Sequence, residues 1–402
     1  MTVEVLSFGC RLNIAESPTI ALAVAGVGAT TVINGCAVTG EAMRQTAQAA
    51  RRARRSRPDA RIVVTGCAAQ VDAARFAAMP EVDQVLGNRE KLIARSYSGP
   101  RIDVGDIFEH RAPALPVVSG THRTRAFVEV QNGCDHRCTF CIIPFARGDS
   151  RSVATGAVVE AIAAAVDGGQ REVVLTGVDL TSVRPSLATL VTAILREVPA
   201  LPRLRLSSLD PGEVDATLFE LLTCEPRVMP HVHLSLQAGD DLTLKRMKRR
   251  HSAAQAIDLA RRLRAARPEI AIGADVIAGF PTEDATMADR TRATMDAMDV
   301  VFAHVFPYSS RSRTPAARMP QVDPDTARQR ARRLREDADA RRAAWLATLV
   351  GTVQAVLVER SGRSGHAPNF ASVDLAADFP PGTVVAARVS SAANGRLQAD
   401  AT

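Results

Sequence analysis

The chain has 402 residues, with 50 Lys and Arg against 43 Asp and Glu, 46% hydrophobic and 4% aromatic residues, and seven cysteines. That length suggests two or three domains, and the composition excludes a disordered, collagenous or small disulfide-rich chain. A formal charge of +7 admits a polyanionic partner, although an Arg- and Ala-rich composition raises charge without one. The start, Met1-Thr2-Val3-Glu4-Val5-Leu6, has no basic segment leading into an apolar one, and no long purely apolar run exists anywhere. We therefore expect a soluble cytoplasmic protein with reduced cysteines and no membrane partner.

Three β-branched, apolar runs open the chain, Val3 to Phe8, Thr30 to Ile33 and Ile62 to Thr65. Each leads into Gly-Cys: Gly9-Cys10, Gly35-Cys36 and Gly66-Cys67. Helical stretches follow at Ala15 to Val27, Glu41 to Arg57 and Gln70 to Ala77. Alternating strands and helices predict a doubly wound parallel α/β sheet, whose ligands gather beyond the carboxyl ends of the strands. Glycine lets the backbone turn sharply there, and three thiolates on one edge suit a soft metal centre. Three cysteines buried as small hydrophobes are the alternative.

The next cysteines are compact, Cys134-Asp-His-Arg-Cys138-Thr-Phe-Cys141, after the strand-like run Ala126 to Gln131 and the turn at Gly133. Zinc sites usually pair two Cys-x-x-Cys halves or add histidines, and four-cysteine ferredoxin runs supply every cluster ligand. Here only three thiols are offered, which on a [4Fe-4S] cluster leaves one iron open. His136 can complete a zinc site, but its place inside the loop favours a solvent-facing or supporting role.

Further strands are predicted at Glu172 to Leu175, Leu204 to Ser207, Val232 to Leu236, Ile270 to Ile277 and Val300 to Phe306. Helices are predicted at Ala154 to Asp167, Leu187 to Glu197, Glu213 to Leu222, Ser252 to Ala266 and Asp284 to Met298. With Ala126 to Gln131 these make an open (β/α)6-type partial TIM barrel, with its site on the carboxyl side of the strands. Thr176, Gly177, Asp179, Ser208, Gln237 and the stretch Gly279 to Glu283 follow those strands and are candidate ligands. Cys224 near a helix end reads as structural. Tyr308, Ser309 and Arg311 follow the sixth strand, as substrate mouth or ordinary loop.

From Pro324 to Leu349 the chain is charged and helical. Short strands then follow at Thr352 to Val358, Ser372 to Leu375, Val384 to Val389 and Arg396 to Gln398, with a turn at Ser361 to Gly365, which predicts a small antiparallel β-barrel. About fifty residues make a marginal core, so this barrel is expected to dock on the central domain. The domains expected are 1–112, 120–349 and 350–402.

The Cys-x3-Cys-x2-Cys spacing with Phe140 before the last cysteine resembles the cluster loop of the radical S-adenosylmethionine enzymes. The three dispersed cysteines before it resemble the methylthiotransferase branch. Cys10-Arg-Leu-Asn13, Cys141-Ile-Ile-Pro-Phe-Ala-Arg-Gly148, Leu236-Gln-Ala-Gly239, Lys245-Arg-Met-Lys-Arg-Arg250 and His304-Val-Phe-Pro-Tyr-Ser309 look most like the tRNA threonylcarbamoyladenosine methylthiotransferases. The C-terminal barrel resembles the RNA-binding TRAM module. This resemblance implies insertion of a methylthio group at C2 of N6-threonylcarbamoyladenosine at position 37 of tRNA. It implies two [4Fe-4S] clusters, one on Cys134, Cys138 and Cys141 with S-adenosylmethionine at its open iron, the other on Cys10, Cys36 and Cys67. Phe140, Thr176, Gly177, Asp179, Ser208, Gln237 and Glu283 are the expected cofactor contacts. By resemblance the Thr176 to Asp179 stretch receives the methionine amino group and Asp275 to Glu283 packs along the adenine. Two departures are Thr282 before Glu283, where relatives have Gly-Glu after the proline, and a short stretch from Asp179 to Pro185.

Basic runs lie at Arg51 to Arg57, Lys245 to Arg250, Arg261 to Arg267 and Arg328 to Arg335. Most read as solvated helix faces. Lys245, Arg246, Lys248, Arg249 and Arg250 are the expected RNA contacts, since they follow the fourth barrel strand on the active-site side. One Trp and two Tyr argue against an extensive stacking platform, and a loop nucleotide has to be splayed out or flipped to reach a buried radical. The electron donor and the sulfur source are further implied partners that the sequence does not identify, and DNA is not expected. The alternatives are methylthiolation of isopentenyladenosine in tRNA or of a ribosomal protein, or a non-catalytic iron-sulfur or zinc protein that binds RNA and senses redox state.

Overall fold

The computed structural model describes residues 3–110, 114, 116–118 and 124–402. The expected domain limits at 112 and 120, and Met1 and Thr2 of the expected start, lie outside the described residues.

Strands β1 (Val3–Ser7), β2 (Thr30–Gly35), β3 (Arg61–Gly66), β4 (Gln84–Leu86) and β5 (Ile102–Asp103) form one parallel sheet in chain order. Every residue of β2 is buried, as an inner strand covered on both faces requires. Helix α1 (Arg11–Ala23) begins four residues before the expected start, so Cys10 is its N-cap residue and Pro18 lies inside it. It stops short of Val27 because Gly26 and Gly28 take positive φ. Helix α2 (Gly40–Ser56) is capped by Thr39, whose side chain accepts from Ala42 N, and carries Arg54 and Arg55 at its negative end. The single helix expected over Gln70 to Ala77 is two, α3 (Cys67–Val71) and α4 (Ala73–Ala77), because the Asp72 side chain caps the second.

Next come β6 (Ala126–Glu129), a short antiparallel pair β7 (Gln131–Asn132) and β8 (Arg151–Ser152), and between the latter two α5 (Ile143–Arg147). The barrel continues through α6 (Thr155–Asp167), β9 (Val173–Thr176), α7 (Leu187–Glu197), β10 (Leu204–Leu206), α8 (Ala216–Cys224), β11 (His231–Gln237), α9 (Asp241–Arg246), α10 (Ala253–Ala266), β12 (Ala271–Ala278), α11 (Ala285–Ala297) and β13 (Val300–Pro307). Its six parallel strands pair as β6-β9-β10 and β11-β12-β13, with Leu209 and Leu234 bridging the two halves, giving the open arc expected. The largest apolar core fills this arc and the helices around it. Helix α10 carries a full capping box of Ser252 and Gln255.

The long helix α12 (Pro324–Thr348) packs along β13, where Arg335 and Arg341 donate to the carbonyls of Val305 and Val300. A closed five-stranded barrel ends the chain: β14 (Val353–Val358), β15 (Ser364–His366), β16 (Ser372–Leu375), β17 (Val384–Ala393) and β18 (Arg396–Ala401). The unexpected strand is β15, which begins inside the segment expected to turn at Ser361 to Gly365. A Cβ on Gly365 would meet the Leu357 carbonyl at 2.2 Å, so glycine is what allows β15 to close on β14. The barrel docks where Arg205 donates to the carbonyls of Ala367 and Pro368 at 3.0 and 2.8 Å. Phe370 lies beside His366 and His231, with ring centroids 4.7 and 4.9 Å away. No helix among the described residues is long and apolar enough to cross a membrane.

Candidate functional site

Cys10, Cys36 and Cys67 stand at the carboxyl ends of β1, β2 and β3, where parallel sheets present their sites. Gly9 has φ +92, and a Cβ there would lie 2.8 Å from the sulfur of Cys36, so the two loops approach only because Gly9 has no side chain. Asn13 Nδ2 donates to the Phe8 carbonyl at 2.8 Å, fixing the first loop. Burial, then the neighbouring Cys67 and Cys10, push the Cys36 thiol up to about 12. Crowded thiols of this kind ionise when a cation takes them as ligands, which suits a thiolate-bound metal centre.

Buried cations surround this group. Arg147, at the end of α5, donates its Nε to Cys67 Sγ at 3.3 Å, while Asn88 Nδ2 lies 3.6 Å from the same sulfur. The remaining Arg147 nitrogens bind Glu16 at 2.9 Å and Asn13 Oδ1 at 2.6 Å, and Lys91 Nζ meets Glu16 at 2.6 Å. Burial opposes ionisation of Glu16, but Arg147 and Lys91 outweigh it and hold the carboxyl down at about 2.

The second group is set by α5 and the loop before it. Gly133 has φ +74, and a Cβ there would fall 1.9 Å from the Asp149 carbonyl oxygen. Cys134 N donates to Gly148 O at 3.0 Å, and Thr139 ties the loop to α9 by donating to the carbonyls of Met247 and Arg246. Arg249 lies 3.6 Å from Cys138 Sγ and is fixed by Asp210 and the Ser235 carbonyl, at 2.7 and 2.8 Å. Burial raises the Cys138 thiol, but His136 and Arg249 outweigh it and bring it below the ordinary value. His136 is buried, 3.4 Å from Asp179 and 3.2 Å from Glu213, and hydrogen bonding to Cys138 and Glu213 pushes it up to about 10. Its role is support of the loop, not exposure to solvent. Burial pushes the Cys141 thiol up to about 12, and the two cysteine groups are brought together by the packing of α3, which opens with Cys67, on α5, which follows Cys141.

The expected cofactor residues divide. Thr176 is buried and its carbonyl accepts from Val130 N. The turn Gly177-Val178-Asp179 is held by Gln131, whose Oε1 accepts from both Val178 N and Asp179 N at 2.9 Å, and Asp179 Oδ2 lies 3.7 Å from Cys134 Sγ. Ser208, just beyond β10, and Gln237, the last residue of β11, are half-buried, Gln237 with φ +69. Phe140 packs edge-on to Phe280 at 6.4 Å. Glu283 is buried and accepts from Gly279 N at 2.9 Å and from Arg330 at 2.8 Å, which ties its turn to α12.

The basic run also divides. Lys245, Lys248 and Arg250 are exposed, Arg250 paired with Glu213, whereas Arg246 is half-buried and donates to Thr282 O. Arg249, 7% exposed, is turned inward, paired with Asp210 and lying 3.6 Å from Cys138 Sγ. Cys224 is exposed, against the structural reading. Arg147, Glu16, Lys91, Asn88 and Gln131 were not assigned from sequence, although Arg147 lies in the quoted stretch Cys141 to Gly148. A polar trio also lines β11, β12 and β13, with Asp275 Oδ1 3.0 Å from His233 and 3.2 Å from His304.

Residues 128–293 match the radical SAM superfamily, and residues 2–87 match a family described as uncharacterized protein family UPF0004. The threonylcarbamoyladenosine tRNA methylthiotransferase MtaB of Rickettsia prowazekii is 45% identical, over 92% of this chain and 91% of that protein. Its Bacillus subtilis namesake is 37% identical over 75% and 70%. A tRNA-2-methylthio-N(6)-dimethylallyladenosine synthase from Cereibacter sphaeroides is 32% identical over 89% and 87%. Among solved structures, the radical S-adenosylmethionine methyltransferase TsrM from Kitasatospora setae superposes with a TM-score of 0.56 over 78% of this chain and 73% of that one, at 14% identity, which shows the shared fold. Fold and cluster loop together define a radical S-adenosylmethionine enzyme, one that uses S-adenosylmethionine and a [4Fe-4S] cluster. Within that superfamily, the chain belongs to the tRNA methylthiotransferase family that includes the MtaB proteins.

Proposed function

We propose that the chain transfers a methylthio group to C2 of N6-threonylcarbamoyladenosine at position 37 of tRNA, using two [4Fe-4S] clusters. The observation that carries this reading is the pair of three-cysteine groups brought together by α3 and α5 and joined through Arg147, which follows Cys141 by six residues and reaches Cys67. In this reading residues 1–112 hold one cluster, 120–349 hold the other with S-adenosylmethionine, and 350–402 contact RNA.

A C2–H bond is not usefully acidic, and the cofactors when bound supply the radical that removes this hydrogen. The protein's part is placement. Cys134, Cys138 and Cys141 are the ligands of one cluster, and His136 and Arg249 favour the thiolate of Cys138. Gln131 shapes the Thr176 to Asp179 turn that would receive the methionine end of S-adenosylmethionine. Cys10, Cys36 and Cys67 are the ligands of the second cluster, with Arg147 offsetting its negative charge. Lys245, Lys248 and Arg250 remain the RNA contacts.

A zinc-binding sensor fits less well. Sulfurs around one tetrahedral zinc stand about 3.8 Å apart for bonds of about 2.3 Å. Among the described residues neither cysteine group brings all its sulfurs within 4.8 Å of one another. Anaerobic reconstitution should give about eight iron atoms per chain, falling to about four in Cys10→Ala/Cys36→Ala/Cys67→Ala. That variant should still form 5'-deoxyadenosine. Nucleoside mass spectrometry of tRNA from a deletion strain then decides the substrate: unchanged methylthio-threonylcarbamoyladenosine would exclude it.

A further inference from the structure

Arg311 lies just beyond β13 on a backbone fixed by its own carbonyl, which accepts from Thr314 N at 2.9 Å and Thr314 Oγ1 at 2.8 Å. The loop is stapled to the start of α2, since Gly40 N donates to Ser309 Oγ at 3.0 Å. A Cβ on Gly40 would stand 3.6 Å from Arg311 Nη2, so the guanidinium lies against the segment that follows Cys36. Arg311 Nε and Nη2 are both buried, and neither has a hydrogen-bond partner. The hydroxyl of Tyr308 is buried as well, beside Ser310 and Thr314 but with no hydrogen bond of good geometry. Its ring packs on Phe280 at 5.8 Å, and Phe280 in turn packs on Phe140 of the cluster loop. The unmet donors therefore lie between the two cysteine groups.

Leaving a buried charged donor unpaired is costly, and proteins rarely do so where nothing arrives to pair with it. No carboxylate among the described residues pairs with Arg311; its charged neighbours are Cys36, which would favour its charge as a thiolate, and Arg75 and Arg44, which oppose it. A planar guanidinium with Nε and Nη2 both unpartnered complements a carboxylate or phosphate. We propose that Arg311, assisted by the Tyr308 hydroxyl, is an anion subsite that takes an oxyanion of the tRNA substrate beside the reacting base. The proposal rests on the tRNA reading above. Such an oxyanion has two sources: the threonine carboxylate of the modified adenosine, or a backbone phosphate of the anticodon loop.

The test uses the reconstituted two-cluster enzyme, with Arg311→Gln and Arg311→Lys checked for unchanged iron content and circular dichroism. Binding is measured over a range of salt to tRNA bearing N6-threonylcarbamoyladenosine and to the same tRNA with plain adenosine. Arg311→Gln should weaken binding of the modified tRNA about 10- to 100-fold, and Arg311→Lys less. If the carboxylate is the ligand, Arg311→Gln erases the wild-type preference for modified over plain tRNA at unchanged salt slope. If a phosphate is the ligand, both tRNAs weaken equally and the slope falls by about one. Unchanged affinity for both tRNAs in Arg311→Gln overturns the proposal. A wild-type enzyme that binds neither tRNA overturns the reading beneath it.

Discussion

Arg147 Nε stands 3.3 Å from the sulfur of Cys67, so a residue of the helix that follows one cysteine group is bound to a member of the other. The same guanidinium holds Glu16 and Asn13, with all three side chains buried. Arg147→Leu leaves a buried carboxylate with Lys91 alone and should cost about 3–5 kcal/mol, while Arg147→Lys keeps the charge, loses the fork and should cost less. Urea denaturation measures both, and a loss below about 1 kcal/mol in Arg147→Leu would contradict the network.

Arg249 and its exposed neighbours should separate in function. Arg249→Gln removes the partner of Asp210 and Cys138, so 5'-deoxyadenosine formation should fall by about 10-fold or more with tRNA affinity unchanged. Lys245→Glu with Lys248→Glu should do the reverse, weakening tRNA binding uniformly and flattening its salt dependence. Filter binding across salt, paired with product assay, distinguishes them. Equal effects on both readouts would mean that one surface serves both roles.

The docking of the C-terminal barrel should be sensitive to acid. Glu359 accepts from Thr124 Oγ1 at 2.9 Å, pairs with Arg125 at 2.9 Å and lies 3.2 Å from His366. His366, then Arg125 and Thr124, outweigh burial and hold its carboxyl down at about 2. A depressed folded value means that the stabilisation is complete above the unfolded value near 4.3 and is lost as pH falls from there through about 2. Glu359→Gln should remove that part of the acid dependence and lower stability near neutral pH by about 2 kcal/mol. Melting curves of both proteins between pH 2 and 7 should draw together towards the acid end.

Phe370 anchors the same contact in an unusual backbone state, φ +71, with Arg205 and Arg125 guanidinium carbons 5.1 and 5.5 Å from its ring centroid. Phe370→Ala should lose about 2–3 kcal/mol. Phe370→Gly should be no worse, because glycine adopts positive φ freely, contrary to the order found at ordinary sites. Chemical denaturation ranks the pair, and alanine clearly above glycine would show that the φ is not under constraint.

Much of the architecture was legible because it is written in short-range pattern. The strands beginning near Ala126, Val173, Leu204, His231, Ala271 and Val300 are apolar runs bounded by turns, and each was located to within a few residues. Where the reading slipped, a local device had overridden pattern. Asp72 caps a second helix inside one apparent helix, and Gly365 admits a strand where the composition reads as a turn.

By itself the sequence determined which thiols are offered and in what order, since a turn of three or four residues fixes cysteine spacing whatever the rest of the fold does. It also determined the parallel strand succession that carries Cys10, Cys36 and Cys67 to one edge. Only the tertiary structure decided what those thiols meet. Arg147 and Cys67 are 80 residues apart, and Arg249 and Cys138 are 111 apart. Arg249 and Lys248 are indistinguishable within a basic run, yet packing buries one guanidinium against Asp210 and leaves the neighbouring ammonium in water. The physical reason is that a buried charge is settled by whichever partners the fold brings within about 3 Å, and no local spacing encodes that.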